Sequence, residues 1–203
     1  MEKKLIIGLC GPMASGKNLA AGILQNMGFA CIDADLAGHQ ALENCRDLVL
    51  QAFKQDAEQA NIPLVDGDGK IIRKNLGKIV FSSPEKLKKH EEIVHGEINR
   101  LMEDFLQQNS SKNRVLNATV LYKVPLIHKC DFVIFITAPF LLRLYRARRR
   151  DKAKIKDLLK RFYAQKDLYA QYRSQNVDIY KVSNCLSAGH LQKKLNALLK
   201  NKV

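Results

Sequence analysis

The sequence predicts an α/β fold in which an open parallel sheet is covered by helices on both faces. Short apolar runs alternate with longer segments of helical periodicity along the 203 residues. A glycine-rich loop, Gly11 to Asn18, stands between the first apolar run and the first helical segment. Because 46% of the residues are hydrophobic and the length suits one core, we expect a single domain over residues 1–203.

The first half of the chain predicts two strands and four helices. Leu5 to Cys10 is wholly apolar, which is typical of a strand buried on both faces. The helix that follows the glycine-rich loop has apolar residues at helical spacing and is expected to end at Gly28. Phe29 to Ile32 is the second strand. Further helices are predicted over 36–59, 76–81 and 87–106, with turn-forming residues at 61–69.

The second half predicts two more buried strands, an edge strand and a terminal helix. The apolar runs at 115–121 and 132–136 are the strands, and the shorter run at 179–182 is the edge strand. Residues 140–175 form a long basic helical region, which we expect to break near Arg150-Asp151. An amphipathic pattern over 191–199 predicts the last helix.

Charge and cysteine usage restrict the class of protein. Residues 143–203 contain 17 Lys and Arg and 4 Asp and Glu, so they carry +13 of the net charge of +14. A basic structured segment indicates an anionic partner. The five cysteines lack CxxC spacing, which argues against a zinc site or a disulfide framework and favours a reducing compartment. No apolar run approaches the ~20 residues that span a bilayer, so we expect a cytoplasmic protein without a membrane partner.

The glycine-rich loop predicts a phosphate-binding site. Gly11 to Lys17 matches the pattern G-x-x-x-x-G-K between a buried strand and a helix. In such a loop, backbone N–H groups and the helix N-terminus surround phosphate oxygens, and Lys17 reaches the outer phosphates. Asn18 stands where a magnesium-binding hydroxyl usually follows, so phosphate binding is expected to survive while metal placement is altered. The alternative is a glycine-rich turn with a chance lysine.

Two aspartates follow the second strand. Asp33 and Asp35 are predicted at its carboxyl end, where ligands bind in open parallel sheets, and we expect this strand to lie beside the one that leads into the loop. A carboxylate there could accept a proton from an attacking hydroxyl or bind magnesium. We assign Asp35 as the base and Asp33 as its support. One of the two could instead cap the next helix.

The basic helical region places several arginines together. Arg143, Arg146 and Arg150 are spaced so that they share one face of a continuous helix. Guanidinium groups suit bidentate phosphate contacts and neutralise charge on a transferring phosphoryl group. We therefore assign Arg146 and Arg150 to function, while a solvated basic face accounts for most of the lysines nearby.

In their order along the chain, these motifs resemble those of the dephospho-CoA kinase family, over Leu5 to about Leu199. The phosphate loop is shared by many kinases, whereas the Ile-Asp-Ala-Asp element at its distance from the loop is more specific. The residues that carry the resemblance are Gly8 to Lys17, Ile32 to Asp35, Ile72-Arg73, Leu76, Val80-Phe81, Glu92 to His95, Arg146, Arg150-Asp151, Ala164-Gln165 and Asn184.

The resemblance implies a P-loop kinase fold and transfer of the ATP γ-phosphate to the 3′-hydroxyl of dephospho-CoA, assisted by Mg²⁺. It implies a helical substrate-binding region at about 60–106 and a lid at about 141–165. The implied catalytic residues are Asp35, Lys17 and Arg146. Asp33, Arg73 and His95 would bind the acceptor substrate, and Asp33 would also serve the metal. ATP would be bound by Gly11, Ala14, Ser15, Gly16, Lys17, Asn18, Leu19, Arg150 and Asn184.

The sequence departs from the family at several positions, which leaves alternatives open. Asn18 replaces the loop hydroxyl, Gly96 follows His95 where proline is usual, and Arg143 stands in place of a glutamine. Thr119-Val120-Leu121 lacks the acid expected nearby. One alternative is a catalytically impaired nucleotide-binding relative, and another is a kinase of a different nucleotide-like alcohol. A nucleic-acid-binding module is not expected, because no motif with interleaved aromatics accompanies the basic segment.

Overall fold

The computed structural model describes residues 3–202 and contains, within them, one sheet of five parallel strands. β1 (Ile6–Cys10) is central and pairs with β3 (Arg114–Asn117) on one side and β4 (Phe132–Thr137) on the other. β2 (Ala30–Asp33) and β5 (Ile179–Ser183) are the two edges, so the order is β2-β3-β1-β4-β5. The predicted open parallel sheet is therefore confirmed.

One expectation about the sheet is wrong: β2 does not lie beside β1. β3 pairs with both of them, with Cys31 and Ile7 each in register with Val115. Burial differs accordingly: Val115, Leu116 and Asn117 of β3 are buried, whereas all four residues of β2 are only half-buried. A strand with neighbours on both sides is more covered than an edge strand, and β2 is the edge strand.

Nine helices accompany the sheet in the described residues, and two short 3₁₀ turns, Leu121–Lys123 and Pro125–Lys129, follow β3. Their bounds are α1 (Lys17–Asn26), α2 (Ala34–Asn44), α3 (Arg46–Ala60), α4 (Arg73–Val80), α5 (Pro84–Gln108), α6 (Phe140–Asp151), α7 (Ile155–Tyr163), α8 (Leu168–Arg173) and α9 (Ala188–Lys200).

Three predicted elements have different limits in the structure. The helix expected over 36–59 is divided into α2 and α3 at Cys45. The basic region of 140–175 is three helices, and the predicted break comes at Lys152, whose φ of 50° is left-handed and ends α6. The apolar run of 115–121 is a strand only as far as Asn117, after which it turns into the first 3₁₀ segment.

The two faces of the sheet are covered by different elements. On one face, α1 and α9 pack against Ile7, Leu9 and Ile134. On the other, the hydroxyl of the buried Tyr172 of α8 accepts a 2.8 Å hydrogen bond from the backbone N–H of Leu121, and the Tyr172 ring meets Phe135 edge-on. Both faces of the central strands are thus buried, which explains their continuous apolar sequence.

The chain divides into two compact units. One contains the sheet and is formed by the residues up to Asp33 and from Phe105 onward, and the other is Ala34–Asp104. The second unit has its own apolar core, in which Phe53, Leu76 and Val94 are buried. None of the helices described in residues 3–202 has both the length and the apolarity needed to cross a membrane.

Candidate active site

The glycine-rich loop joins the carboxyl end of β1 to the start of α1. Gly11 passes so close to β4 that a Cβ there would lie 2.4 Å from the carbonyl oxygen of Ile136. Ala14 and Gly16 have left-handed φ values of 60° and 95°. These conformations reverse the chain, and the backbone N–H of Ser15 closes the turn by donating to the Pro12 carbonyl at 3.0 Å.

The start of α1 supplies the electrostatic part of an anion site. The helix begins at Lys17 and has no acidic residue in its first turn. Its first N–H groups lack intrahelical partners and carry the positive end of the helix dipole. The Ser15 hydroxyl is buried and makes no hydrogen bond within the described part of the chain. The loop is therefore suited to a polyanion such as a triphosphate.

Lys17 is connected to β2 through Asn117, which was not among the predicted site residues. Lys17 is only 8% exposed, and its ammonium donates to Asn117 Oδ1 at 2.7 Å. Asn117 Nδ2 in turn donates to Asp33 Oδ2 at 3.0 Å. Asn117 ends β3, between the strand that leads into the loop and the strand that carries Asp33. The sequence signal that could have identified Asn117 is a polar residue directly after the apolar pair Val115-Leu116.

Asn18 extends this network toward solvent. Its Oδ1 lies 3.4 Å from Asn117 Nδ2, and its side chain is exposed. The oxygen atoms gathered here are one carboxylate, from Asp33, and two amides. Residues 3–202 contain no group of three or more His, Cys, Asp or Glu side chains that could hold a metal ion. This donor set fits Mg²⁺, which is usually held by one or two carboxylates together with substrate phosphates and water.

Asn184 connects the phosphate loop with α6. The Asn184 amide is buried, and its Nδ2 donates to the Ser15 carbonyl at 2.8 Å. Arg146 of α6 donates to the backbone carbonyl of Asn184 at 3.2 Å. From the other side, the backbone N–H of Met13 donates to Gln165 Oε1 at 2.7 Å. Gln165 was not among the predicted site residues, and it attaches the end of the predicted lid to the loop.

The remaining predicted residues lie on α1, on α6 and in the unit Ala34–Asp104. Leu19 is exposed in the first turn of α1. Arg150 contacts Asp151 at 2.6 Å, and this guanidinium lowers the pKa of the Asp151 carboxyl. Asp35 in the first turn of α2, Arg73 at the start of α4 and His95 on α5 are exposed side chains of the unit Ala34–Asp104.

Three of the cysteines, Cys10, Cys31 and Cys130, are unsuited to nucleophilic chemistry. All five are free thiols. Burial raises the pKa of Cys130 to about 12 and that of Cys31 to about 11. Burial also raises the pKa of Cys10, which ends β1 next to the loop. These thiols remain protonated near neutral pH, and the thiolate is the reactive form.

Two glycine substitutions are expected to distinguish the contribution of the loop to ATP binding from the contribution of α1 to stability. In Gly16→Ala, the new Cβ would lie 2.0 Å from Asn184 Nδ2 at a left-handed φ, so ATP affinity should fall at least about tenfold as the loop is displaced. Gly22→Ala, in the middle of α1, meets no atom within 4 Å and should stabilise the protein by about 0.5–1 kcal/mol. Calorimetric ATP titration and urea unfolding of both variants measure these effects. Equal ATP affinities would contradict the geometry described for the loop.

Comparison with known protein families gives a consistent result. The family description that matches residues 5–184 is dephospho-CoA kinase. A dephospho-CoA kinase of Treponema pallidum is 36% identical over 197 residues, covering 96% of this chain and 93% of the relative. That of Treponema denticola is 38% identical over 198 residues, with coverages of 96% and 88%.

Solved structures share the same fold. A crystal structure of TT1252 from Thermus thermophilus matches with a TM-score of 0.82 and 26% identity over 100% of both chains. A dephospho-CoA kinase from Campylobacter jejuni has a TM-score of 0.63 at 24% identity, covering 98% of each chain. A shikimate kinase from Acinetobacter baumannii has a TM-score of 0.52 at 17% identity, with coverages of 100% and 97%. The last two similarities show the fold alone, which is the predicted P-loop kinase fold.

Proposed function

The chain belongs to the dephospho-CoA kinase family, and from this premise we propose that it transfers the γ-phosphate of ATP to the 3′-hydroxyl of dephospho-CoA. The observation that carries the proposal is the chain of hydrogen bonds from Lys17 through Asn117 to Asp33 at the mouth of the loop. It holds a buried cation at the start of α1 and a carboxylate in one rigid arrangement, as phosphoryl transfer requires.

The loop and Lys17 bind the phosphates of ATP. The N–H groups at the start of α1 and the buried Ser15 hydroxyl are the donors for phosphate oxygens, and the Lys17 ammonium neutralises charge on the transferred group. Arg146 is anchored on the carbonyl of Asn184, which places a second cation beside the loop. In this proposal Arg150, one turn further along α6, also serves ATP.

The acceptor hydroxyl is activated by Asp35. A carboxylate at the start of α2 can accept the proton that leaves the attacking oxygen. Asp33, two residues earlier, is held by Asn117 and supports the acceptor. Arg73 and His95, both exposed on the unit Ala34–Asp104, contribute a cation and an imidazole to acceptor binding.

A magnesium ion would be held by Asp33 and by the amide oxygen of Asn18. When bound, Mg²⁺ would neutralise the charge that develops on the phosphate oxygens during transfer. The chain's own contribution is to orient these donors, because Asn117 fixes the Asp33 carboxylate and lies against the Asn18 side chain. The presence of two amides where acids or hydroxyls are stronger ligands favours a site that relies on phosphates for most of the metal's coordination.

The test is a measurement of ADP release with and without the acceptor. We expect rapid ADP formation that depends on both dephospho-CoA and Mg²⁺, with little ATP hydrolysis in the absence of acceptor. A second candidate, a nucleotide-binding relative without transferase activity, is favoured by the unusual pair Asn18 and Asn117. It would be supported if calorimetry detected ATP binding while no acceptor-dependent ADP appeared with Mg²⁺ or Mn²⁺, and the proposed function would then be wrong.

A further inference from the structure

A concave surface between α6 and α7 has no role in the site described above. This α6–α7 pocket has a volume of about 720 Å³, which is within the range of small-molecule sites. Four of its eight lining residues are aromatic or aliphatic, four are cations, and none is acidic. The lining residues are Phe140, Arg143, Lys156, Leu159, Lys160, Phe162, Tyr163 and Lys166.

Three of the aromatic and aliphatic side chains that line the pocket are unusually exposed to solvent. Phe140, Leu159 and Tyr163 are 47%, 43% and 69% exposed, although side chains of this kind are normally buried. Phe140 meets Phe162 edge-on with ring centroids 5.5 Å apart, so the rings form one continuous wall. An exposed apolar wall rimmed by polar groups marks a place where a ligand or partner binds.

Arg143 connects the apolar wall with the cations. Its guanidinium lies over the Phe162 ring, 4.6 Å from the centroid. Its Nε is buried and makes no hydrogen bond within residues 3–202. The guanidinium therefore places a positive charge beside the apolar wall, where it attracts an anionic group. Lys156, Lys160 and Lys166 add positive charge at the rim.

Phe162 connects the wall of the pocket with the phosphate loop. Phe162 is buried and packs in a cluster with Met13 and Ala14 of the loop. Arg143 also precedes Arg146 by one helical turn, and Arg146 contacts the Asn184 that binds the loop. A molecule in the pocket would therefore lie on α6, the helix that carries Arg146.

We propose that the α6–α7 pocket binds the acceptor substrate, with the uncharged arm of dephospho-CoA along Phe140, Leu159 and Tyr163 and its diphosphate at the lysines. This inference rests on the proposed function and assigns a binding site to the part of the acceptor that does not react. The arm is long and uncharged, with methylene and methyl groups that can pack on the apolar wall, while the diphosphate is anionic, which matches the two halves of the lining. The concave shape and small volume fit such a ligand better than the extended strand of a nucleic acid.

A single fluorophore in the pocket tests the proposal directly. The chain has no tryptophan, so Tyr163→Trp introduces one reporter at an exposed position of the lining. We expect dephospho-CoA to change the tryptophan emission saturably, phosphopantetheine to do so at higher concentration, and AMP, which lacks the arm, to have little effect. An unchanged emission at dephospho-CoA concentrations that saturate turnover would overturn the proposal.

Charge reversal at the rim provides a kinetic test. The double variant Lys156→Glu/Lys160→Glu should raise the KM for dephospho-CoA about tenfold or more, while the KM for ATP changes less than about twofold. The matched control is Lys193→Glu/Lys200→Glu, which reverses two exposed charges on α9 and should leave both KM values unchanged. Equal effects of the two double variants, or an equal rise in both KM values, would contradict a site for the acceptor.

The two measurements distinguish failure of this inference from failure of the proposed function. A saturable emission change in a protein without transferase activity would leave the pocket assignment standing and exclude the proposed reaction. Normal turnover without an emission change and without the shift in KM would exclude the pocket and leave the reaction intact. Absence of both turnover and emission change would exclude both.

Discussion

Replacing Lys17 with alanine is expected to lower kcat by a factor on the order of a hundred or more, because it removes the positive charge that stabilises the transferring phosphoryl group. Lys17 is only 8% exposed and its ammonium is held by Asn117 at 2.7 Å, so its charge acts at a fixed position with little screening by water. The measurement is single-turnover phosphate transfer at saturating ATP. Lys193→Ala on α9, an exposed lysine, is the control and should retain full activity.

The Lys17→Ala result requires a check on folding. The substitution leaves Asn117 Oδ1 without its donor, which should cost about 1–3 kcal/mol of stability at most. Thermal unfolding of the variant therefore accompanies the kinetics. A folded Lys17→Ala protein that retains more than about a tenth of the wild-type kcat would show that the charge at this position does not drive the transfer.

Replacing Asp35 with asparagine is expected to reduce kcat by a factor on the order of a hundred, because the amide cannot take the proton of the acceptor hydroxyl. The side chain keeps its size and its place in the first turn of α2, so binding of ATP should be unchanged. Steady-state turnover and calorimetric ATP titration of Asp35→Asn measure the two effects.

Two further variants make the Asp35 prediction specific. Asp33→Asn weakens the hydrogen bond from Asn117 Nδ2, so it should reduce kcat by less than Asp35→Asn does. Glu43→Gln, an exposed position on the same helix as Asp35, should behave as the wild type. The assignment of the base would be wrong if Asp33→Asn reduced kcat as much as Asp35→Asn, or more.

Much of the fold could be predicted because its signals are local. The apolar run before Gly11, the glycines of the loop and the helical spacing after Lys17 together specify a strand, a turn and a helix. The edge strand and the terminal helix were also recognised from short periodic segments. These elements depend on neighbours within a few residues, which the sequence displays directly.

The contacts that complete the site could not be predicted, because they join residues far apart in the chain. Asn117 reaches Lys17 only because β3 inserts between β1 and β2, and nothing in the β2 sequence states that strand order. Gln165 and Asn184 meet the loop for the same reason: the chain returns to it from α7 and from β5. No glycine marks the end of α6 in the sequence. The helix ends at Lys152 in a left-handed conformation that lysine rarely adopts.

In the basic helical region, the helical spacing of the arginines was predicted correctly, but their environments differ from one another. Arg143, Arg146 and Arg150 were expected to share one face of a continuous helix, with Arg146 and Arg150 assigned to function. In the structure they have three different environments: the ring of Phe162, the carbonyl of Asn184 and the carboxylate of Asp151. Packing of α7 against α6 brings Phe162 to Arg143, and this tertiary contact separates the arginines by role.

The most direct test of the central claim is phosphorus NMR of the wild-type protein with ATP, Mg²⁺ and dephospho-CoA. Transfer from the loop-bound triphosphate to the acceptor alcohol predicts that the γ-phosphate resonance is replaced, one for one, by a phosphomonoester resonance coupled to the ribose 3′-proton. Loss of the γ-phosphate resonance to inorganic phosphate alone, or its persistence with ATP bound, would contradict the account.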